Sequence, residues 1–181
     1  MYARTWGETT RGINGEMVTV EVDVTNGMPA FEMVGLPDVA VKEARERVKA
    51  AVKNSGFRFP DTHITVNLAP ADLKKDGAGL DLPIAMGVLA AKQYVTLPEP
   101  MPVFAGELAL DGSLRPVNGI LPMILRAREE GMPAIFIPSG NRAEGELVDG
   151  IAVYTAGNLG EIIDHFQGRH PLQPLAKKIL E

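Results

Sequence analysis

The sequence predicts an α/β (α+β) fold in which mixed sheets pack against helices. Three observations lead to this prediction. Valine occupies every second position from Val18 to Val24, which is the period of a half-buried strand. Residues 80–93 are apolar on nearly every side, as expected for a buried central helix. Around that helix, strands come first and then alternate with helices.

The first strands are predicted to form a hairpin. Residues 2–13 supply the partner of the strand at residues 17–24, and Asn14-Gly15 is the expected turn because it suits a two-residue hairpin loop. Asn26-Gly27 then turns the chain into a third short strand at residues 30–34.

The first helix is predicted to begin after Asp38 and to end near Gly56. The Asp38 carboxylate can accept hydrogen bonds from free amides of the first turn, and glycine takes the left-handed position after a helix without a clash. The exposed face offers i,i+4 pairs, Lys42–Glu46 and Glu43–Arg47, each worth a few tenths of a kcal/mol. The inner face is an apolar stripe of Val41, Ala44, Val48, Ala51 and Val52.

The second half of the chain continues this alternation. Residues 64–68 form a strand, a loop at residues 69–79 follows it, and residues 80–93 form the buried helix. Strands at 104–110 and 113–117 flank Asp111-Gly112, a strong hairpin signal, and Asn118 is the expected cap of a helix that Gly131 ends. A strand at 134–137, a brief helix after Pro138, a strand at 151–154 and a helix at 159–166 complete the prediction.

We expect one domain over residues 1–167. With 45% hydrophobic residues, the 181-residue chain can bury one sizeable core. Residues 168–181 contain two prolines and no room for another domain. We interpret them as the start of a linker.

The composition argues against several classes of protein. A net charge of −5 and a pI near 5.3 disfavour a domain whose main function is to bind the phosphate backbone of a nucleic acid. Without cysteine there is no disulfide, thiolate zinc site or cysteine nucleophile. No segment approaches the roughly 20 apolar residues that span a bilayer, and the N-terminus lacks a signal-peptide core. The expectation is a cytoplasmic protein without membrane contact.

Motifs for catalysis, cofactors and metals are missing. No Gly-Lys dipeptide occurs, which excludes a P-loop. The histidines lack metal-ligand spacing, and each serine lies in a turn or cap where local hydrogen bonding accounts for it. These residues are His63, His165, His170, Ser55, Ser113 and Ser139. We therefore expect no catalytic residue, cofactor or metal in this chain.

The loop before the buried helix is the segment with most potential for chemistry. Gly77-Ala78-Gly79 could hold an anion on backbone amides, although a tight turn into the helix is the favoured interpretation. Asp72, Asp76 and Asp81 surround this loop and would permit a paired acid and base. The attraction of carboxylates to a helix start is the favoured interpretation for them.

Three long blocks resemble one family. They are residues 31–48 (FEMVGLPDVAVKEARERV), 64–77 (ITVNLAPADLKKDG) and 106–117 (GELALDGSLRPV). In order, they resemble blocks at the front of the ComM/YifB, or magnesium chelatase-like, proteins. The resemblance covers most of the chain, up to about Phe166.

The same blocks are similar, more distantly, to the proteolytic domain of Lon. That similarity implies the Lon-protease-like fold shared with ribosomal protein S5 domain 2. In Lon, a desolvated lysine takes the proton of a catalytic serine. If this sequence is aligned with Lon on Lys75-Asp76-Gly77, the position of the catalytic serine falls at Gly79. If it is aligned on residues 84–86, that position falls at Asp81. The position of the catalytic lysine falls at Leu121. None of these can replace its counterpart, so the resemblance implies the fold without the peptidase activity.

The resemblance also implies properties of a longer protein. ComM/YifB proteins continue into a AAA+ module that would bind ATP and Mg²⁺. The full protein is implied to be a hexameric DNA-translocating motor, linked for ComM to branch migration during natural transformation. The expected partners are therefore the chain's own AAA+ module, further subunits, and DNA through the parent protein. In the leading hypothesis this chain is a non-catalytic accessory domain.

Two alternatives stay open. The chain could be a DNA-binding module, as in RadA-type proteins, or it could be an enzyme, either a residual serine-type peptidase or an unusual hydrolase using Asp72, Asp76 or Asp81. For the basic residues of the first helix, a solvated face with its own ion pairs is a simpler interpretation than contact with DNA. The candidate interaction residues are Lys42, Arg45, Arg47, Lys49 and Lys53 on the first helix, and Lys74, Lys75 and Asp76 in the loop.

Overall fold

The described part of the chain, residues 1–177 of a computed structural model, folds around one seven-stranded mixed sheet. The strands are β1 (Tyr2–Arg11), β2 (Asn14–Thr25), β3 (Ala30–Val34), β4 (His63–Ala69), β5 (Val103–Phe104), β6 (Glu107–Leu108), β7 (Leu114–Arg115), β8 (Ala134–Pro138) and β9 (Ala152–Ala156). The helices are α1 (Val39–Lys42), α2 (Ala44–Asn54), α3 (Asp81–Ala91), α4 (Ile120–Glu129), α5 (Arg142–Gly145) and α6 (Leu159–Phe166), with a 3₁₀ turn at Ser139–Asn141.

The large sheet has an antiparallel part and a parallel part. Its order is β3-β4-β2-β1-β5-β8-β9, while β6 and β7 form a separate antiparallel pair. Strand β2 pairs antiparallel with β1 and β4, whereas β5, β8 and β9 run parallel to their neighbours. The predicted α/β class with mixed sheets and packed helices is confirmed.

The first hairpin is confirmed, but its predicted turn is wrong by two residues. Arg11 pairs with Asn14, so Gly12 and Ile13 form the turn. Gly12 has a φ of 63°, which suits the first central position of a type II′ turn. Gly15 lies inside β2, where an added Cβ would come within 2.9 Å of the Pro122 carbonyl oxygen. Close packing against α4 therefore explains that glycine.

The predicted first helix is divided into α1 and α2. Asp38 caps α1 as expected, and its Oδ1 accepts a hydrogen bond of 2.8 Å from the Val41 amide. The chain turns at Glu43, yet Val41 and Ala44 are buried on both sides of the turn. The predicted apolar stripe is confirmed because all five of its residues are buried.

Helix α3 lies in the centre of the main core. A Cβ on Gly87 would come 2.6 Å from the Val22 side chain, so the helix rests directly on the sheet. Thr5 of β1 donates a hydrogen bond of 2.8 Å to the Pro83 carbonyl. Helix α2 packs against α3, which is therefore enclosed as its composition predicted.

Two predictions about residues 104–131 are wrong in detail. Phe104 belongs to the large sheet, because only residues 107–108 and 114–115 pair in the Asp111-Gly112 hairpin. Gly119 in the left-handed conformation, φ 80°, occupies the N-cap of α4, and Asn118 does not cap it. The last two elements agree closely with prediction, with Asn158 and Glu161 forming a capping box at α6.

The segment after α6 contacts the domain as far as it is described. Leu175 is buried and its amide donates a hydrogen bond of 2.8 Å to the Val153 carbonyl in β9. The Lys177 ammonium donates to the Ile151 carbonyl at 3.0 Å. The domain boundary after residue 167 stays a prediction, and residues 178–181 of the predicted linker lie outside the described part. Among residues 1–177, no helix is both long and apolar enough to cross a bilayer.

Candidate functional site

A cavity of about 470 Å³ opens beside Gly79, and we call it the Gly79 cleft. It lies between the end of β1, the loop before α3, the residues that follow β7, and the first turns of α4. Its lining residues are Glu8, Thr10, Asp76, Gly77, Ala78, Gly79, Glu107, Pro116, Val117, Asn118 and Met123. The loop that sequence analysis singled out therefore forms one wall of the cleft.

Hydrogen bonds fix this loop to the segment before α1. The Asp38 amide donates to the Lys75 carbonyl at 2.8 Å, and the Lys75 amide donates to the Leu36 carbonyl at 3.0 Å. The second carboxylate oxygen of Asp38 accepts from the Gly77 amide at 3.1 Å. One aspartate thus caps α1 and also holds the wall of the cleft.

The two lysines of the loop differ in their surroundings. Lys74 is exposed, whereas the Lys75 side chain is fully buried and its ammonium donates to the Pro70 carbonyl. Burial lowers the pKa of Lys75, and nearby Asp72 opposes that effect. In this conformation the Lys75 ammonium is directed into the protein, where it cannot meet a phosphate.

The aspartates near the loop have separate roles. The Asp76 carboxylate accepts a 3.0 Å hydrogen bond from the Thr9 hydroxyl, and the Asp76 amide donates back to that hydroxyl at 3.1 Å. Asp72 is exposed, while Asp81 is fully buried and does not line the cleft. A shared acid and base among the three finds no support in this arrangement.

Asp81 forms a buried ion pair with Arg47. Its oxygens accept from the guanidinium at 2.7 and 3.1 Å, and one of them accepts from the Leu108 amide at 3.0 Å. Arg47 also donates to the Ala40 carbonyl. Burial raises the pKa of Asp81 to about 6, with the Arg47 hydrogen bond and charge opposing that effect. The pair joins α2 to α3 across the core.

This ion pair changes the interpretation of Arg47. Its side chain is only 17% exposed, and the expected pairing with Glu43 is present at the longer distance of 3.6 Å. A guanidinium committed to a buried carboxylate is poorly placed to contact a nucleic-acid phosphate. No sequence signal identified the pair, because 34 residues separate its members.

Gly79 and Leu121, which the resemblance to Lon predicts as dyad positions, differ in location. Gly79 lines the cleft, and an added Cβ would lie 3.4 Å from the Val117 side chain. Leu121, in the first turn of α4, is half-buried against the smaller core cluster under that helix. Of the two predicted serine positions, Gly79 lines the cavity, whereas Asp81 is held in the ion pair.

Sequence analysis missed Glu8, the most unusual residue of the cleft. Its side chain is 1% exposed, and neither carboxylate oxygen has a hydrogen-bond partner among the described residues. Burial raises the pKa of Glu8 to about 9, Glu130 and Glu16 raise it further, and Arg126 opposes them. Residues Gly7 to Thr9 are all buried, so β1 offers no alternation that would reveal an inward-facing acid.

The remaining predicted residues lie on the surface or in separate contacts. Lys42 and Arg45 are exposed, and Arg45 lies 3.6 Å from Glu46. The histidines contact three different partners: His63 with Glu32, His165 with the Leu172 amide, and His170 with Asp164. Within residues 1–177, no group of three acidic, histidine or cysteine side chains is arranged to hold a metal.

Comparison with known proteins places these residues in a family context. Residues 20–141 match the family model described as subunit ChlI of Mg-chelatase. Competence protein ComM of Haemophilus influenzae is 41% identical over 97% of this chain and 34% of its own length. YifB of Salmonella typhimurium, itself uncharacterized, is 42% identical over 92% of this chain and 33% of its own length. Lon protease 2 of Bacillus subtilis is 23% identical over 88% of this chain and 32% of its own length. The chain spans about a third of the length of these relatives.

Proposed function

This chain belongs to the magnesium chelatase-like ComM/YifB family, and we propose that it is a non-catalytic, Lon-like accessory domain of a AAA+ ATPase. The single observation that carries the proposal is the chemistry of the Gly79 cleft. Where a peptidase of this fold needs a hydroxyl and an amine, the chain has Gly79 and Leu121.

The alternative serine position gives no better nucleophile. Asp81 is buried and bound by Arg47 and the Leu108 amide, so its carboxylate has no access to a substrate. The Lys75 ammonium is also enclosed and faces the Pro70 carbonyl. In this proposal the chain has a Lon-like scaffold with a cleft, but without the serine and lysine that would catalyse peptide hydrolysis.

For the full-length protein we propose a hexameric, DNA-translocating motor. Its ATP and Mg²⁺ would bind a AAA+ module that follows this chain, and the domain would contact that module within the ring in the cytoplasm. The name of the Haemophilus relative, a competence protein, supports a role in DNA processing during natural transformation. The proposal requires the native reading frame to continue past Glu181 into a phosphate-binding Gly-Lys motif.

A peptidase assay tests the absence of catalysis. We expect the domain to release no product from fluorogenic casein or peptides above the buffer blank, while a Lon protease in parallel cleaves both. Thr10 is the only hydroxyl residue among those that line the cleft. Turnover that Thr10→Ala abolishes, while the surface variant Ser113→Ala retains it, would overturn the proposal.

The accessory role is tested in the full-length ATPase. ATP hydrolysis and hexamer formation are measured with and without residues 1–167, by phosphate release and analytical ultracentrifugation. We expect the AAA+ module alone to hydrolyse ATP, with ring assembly or its response to DNA altered. Identical assembly, ATPase rate and DNA response in both forms would contradict the accessory role.

A further inference from the structure

We propose that the Gly79 cleft binds an alkylammonium group, as carried by a lysine side chain or a polyamine, with Glu8 as its innermost anion. The Glu8 carboxyl group is buried and has no hydrogen-bond partner within the described part of the chain.

The burial and the unpaired oxygens of Glu8 indicate a binding site. It is 1% exposed, it lines the cleft, and both of its oxygens lack a hydrogen-bond partner among the described residues. Buried polar groups are nearly always hydrogen-bonded, and leaving one unpaired costs about 1–3 kcal/mol. Its Oε1 lies beside Gly15, whose missing side chain leaves room for the carboxyl group. Both oxygens are closed to solvent in this conformation, so an ammonium donor would satisfy them once the Glu8 side chain turns towards the cleft.

The charges around Glu8 favour a cation. Asp76 and Glu107 also line the cleft, and its lining contains no lysine or arginine. Arg126, whose charge opposes the raised pKa of Glu8, contacts Glu130 at 3.0 Å and Glu129 at 3.9 Å, and its buried Nε has no hydrogen-bond partner among the described residues. Arg126 does not line the cleft, so an ammonium group there would meet three carboxyl groups and no cation of the described lining.

An anion at the start of α3 would be the opposite proposal. The N-terminus of a helix carries about half an elementary positive charge, which favours anions. Asp76 and Glu107 on the same cavity outweigh that half charge, and Glu8 could donate to an anion only in its protonated form, so that the affinity for an anion would fall as the pH rises. The cavity of about 470 Å³ is large enough for an unbranched aliphatic amine with some water.

Binding of an ammonium group has a consequence that a purely structural Glu8 would not produce. In the empty cleft Glu8 has a pKa of about 9 and is neutral at pH 7. An ammonium group favours the ionised carboxylate, so binding releases a proton and affinity increases with pH. The charged groups that face Glu8 are Arg126 on α4, Glu130 directly after α4, Glu16 on β2, Glu107 on β6 and Asp76 in the loop.

Calorimetric titration of the intact domain with n-butylammonium chloride tests this. We expect saturable binding whose affinity rises by up to about tenfold per pH unit between pH 6 and 9. Titration in phosphate and in HEPES, which differ in ionisation enthalpy and contain no primary amine, should reveal release of close to one proton. Glu8→Gln should weaken binding by about tenfold or more at pH 8 and remove the pH dependence, whereas the exposed-site control Glu46→Gln should change neither.

Further probes identify the source of the ammonium group and test whether its charge is required. Spermidine and an acetyl-Gly-Lys-Gly-amide peptide distinguish a free polyamine from a lysine side chain by their relative affinities. Amide NMR shifts at Gly15, Gly77 and Gly79 should locate either probe in the cleft. Equal binding of n-butanol, unchanged binding by Glu8→Gln, or no saturation at concentrations on the order of 10 mM at pH 8.5 would overturn the proposal. The inference goes beyond the accessory role, and because binding is measured without turnover or ATP, either proposal can fail alone.

Discussion

Replacing Glu8 with glutamine should stabilise this protein at neutral and alkaline pH. Glutamine keeps the shape of the side chain but carries no ionisable proton. The pKa of Glu8 is raised from its ordinary 4.5 to about 9 in the fold, mainly by burial. Its contribution to stability is therefore complete below pH 4.5 and is lost progressively as the pH rises through about 9.

The size of the effect follows from the two pKa values. Each pH unit above 4.5 removes about 1.4 kcal/mol, until ionisation in the folded state ends the loss near pH 9. The wild-type protein should thus lose about 3 kcal/mol relative to Glu8→Gln between pH 4.5 and 7, and about 6 kcal/mol by pH 9. For a marginally stable domain, 3 kcal/mol is a large fraction of the free energy of unfolding.

Urea unfolding followed by circular dichroism from pH 4.5 to 9 measures this difference. Glu46→Gln is the matched control, since its side chain is 74% exposed and such changes alter stability by roughly 0.5 kcal/mol or less. Asp81 gives both proteins a separate pH dependence, between its ordinary pKa of 3.8 and its raised pKa of about 6, which cancels in the comparison. Parallel stability curves for wild type and Glu8→Gln would refute the reasoning.

Three further predictions concern the core, the glycines and nucleic acid. Arg47→Met should lower the free energy of unfolding by about 3–5 kcal/mol at pH 7, because it leaves the Asp81 carboxylate buried without its cation. The loss should be smaller at pH 5, where Asp81 is largely protonated. Equal losses in urea unfolding at both pH values would contradict this. Gly79→Ala should fold with a thermal midpoint near that of wild type, since its Cβ would lie at an ordinary contact distance of 3.4 Å. Gly35→Ala should be largely unfolded in the same melting experiment, because its Cβ would lie 2.0 Å from a backbone oxygen at a φ of 108°. With a net charge of −5, the isolated domain should show no fluorescence-anisotropy binding to labelled duplex DNA at about 0.15 M salt, and a steep negative dependence of log K on log salt would instead favour the DNA-binding alternative.

Much of the fold could be predicted because its signals are local. The valine alternation of β2, the apolar stripe of α2 and the cap at Asp38 depend on residues within a few positions of one another. The hairpin turn was misplaced because Gly12-Ile13 and Asn14-Gly15 both offer turn residues, and Gly15 instead packs against α4 from within β2. The cap of α4 was misplaced by one residue because Asn118 and Gly119 are both suited to a helix start. The family could also be identified from the sequence, because its blocks are long and occur in order.

The sequence alone determined that no serine or lysine stands at the predicted dyad positions and that no Gly-Lys dipeptide occurs, since a side chain that is not encoded cannot act. The burial, contacts and charge of the side chains that are present were decided only by the tertiary structure. Lys75 is buried, Arg47 contacts Asp81, and Glu8 lies in the wall of the cleft without a hydrogen-bond partner among residues 1–177. The physical reason is that burial and pairing set the charge, pKa and accessibility of a group, and both depend on segments far apart in the chain.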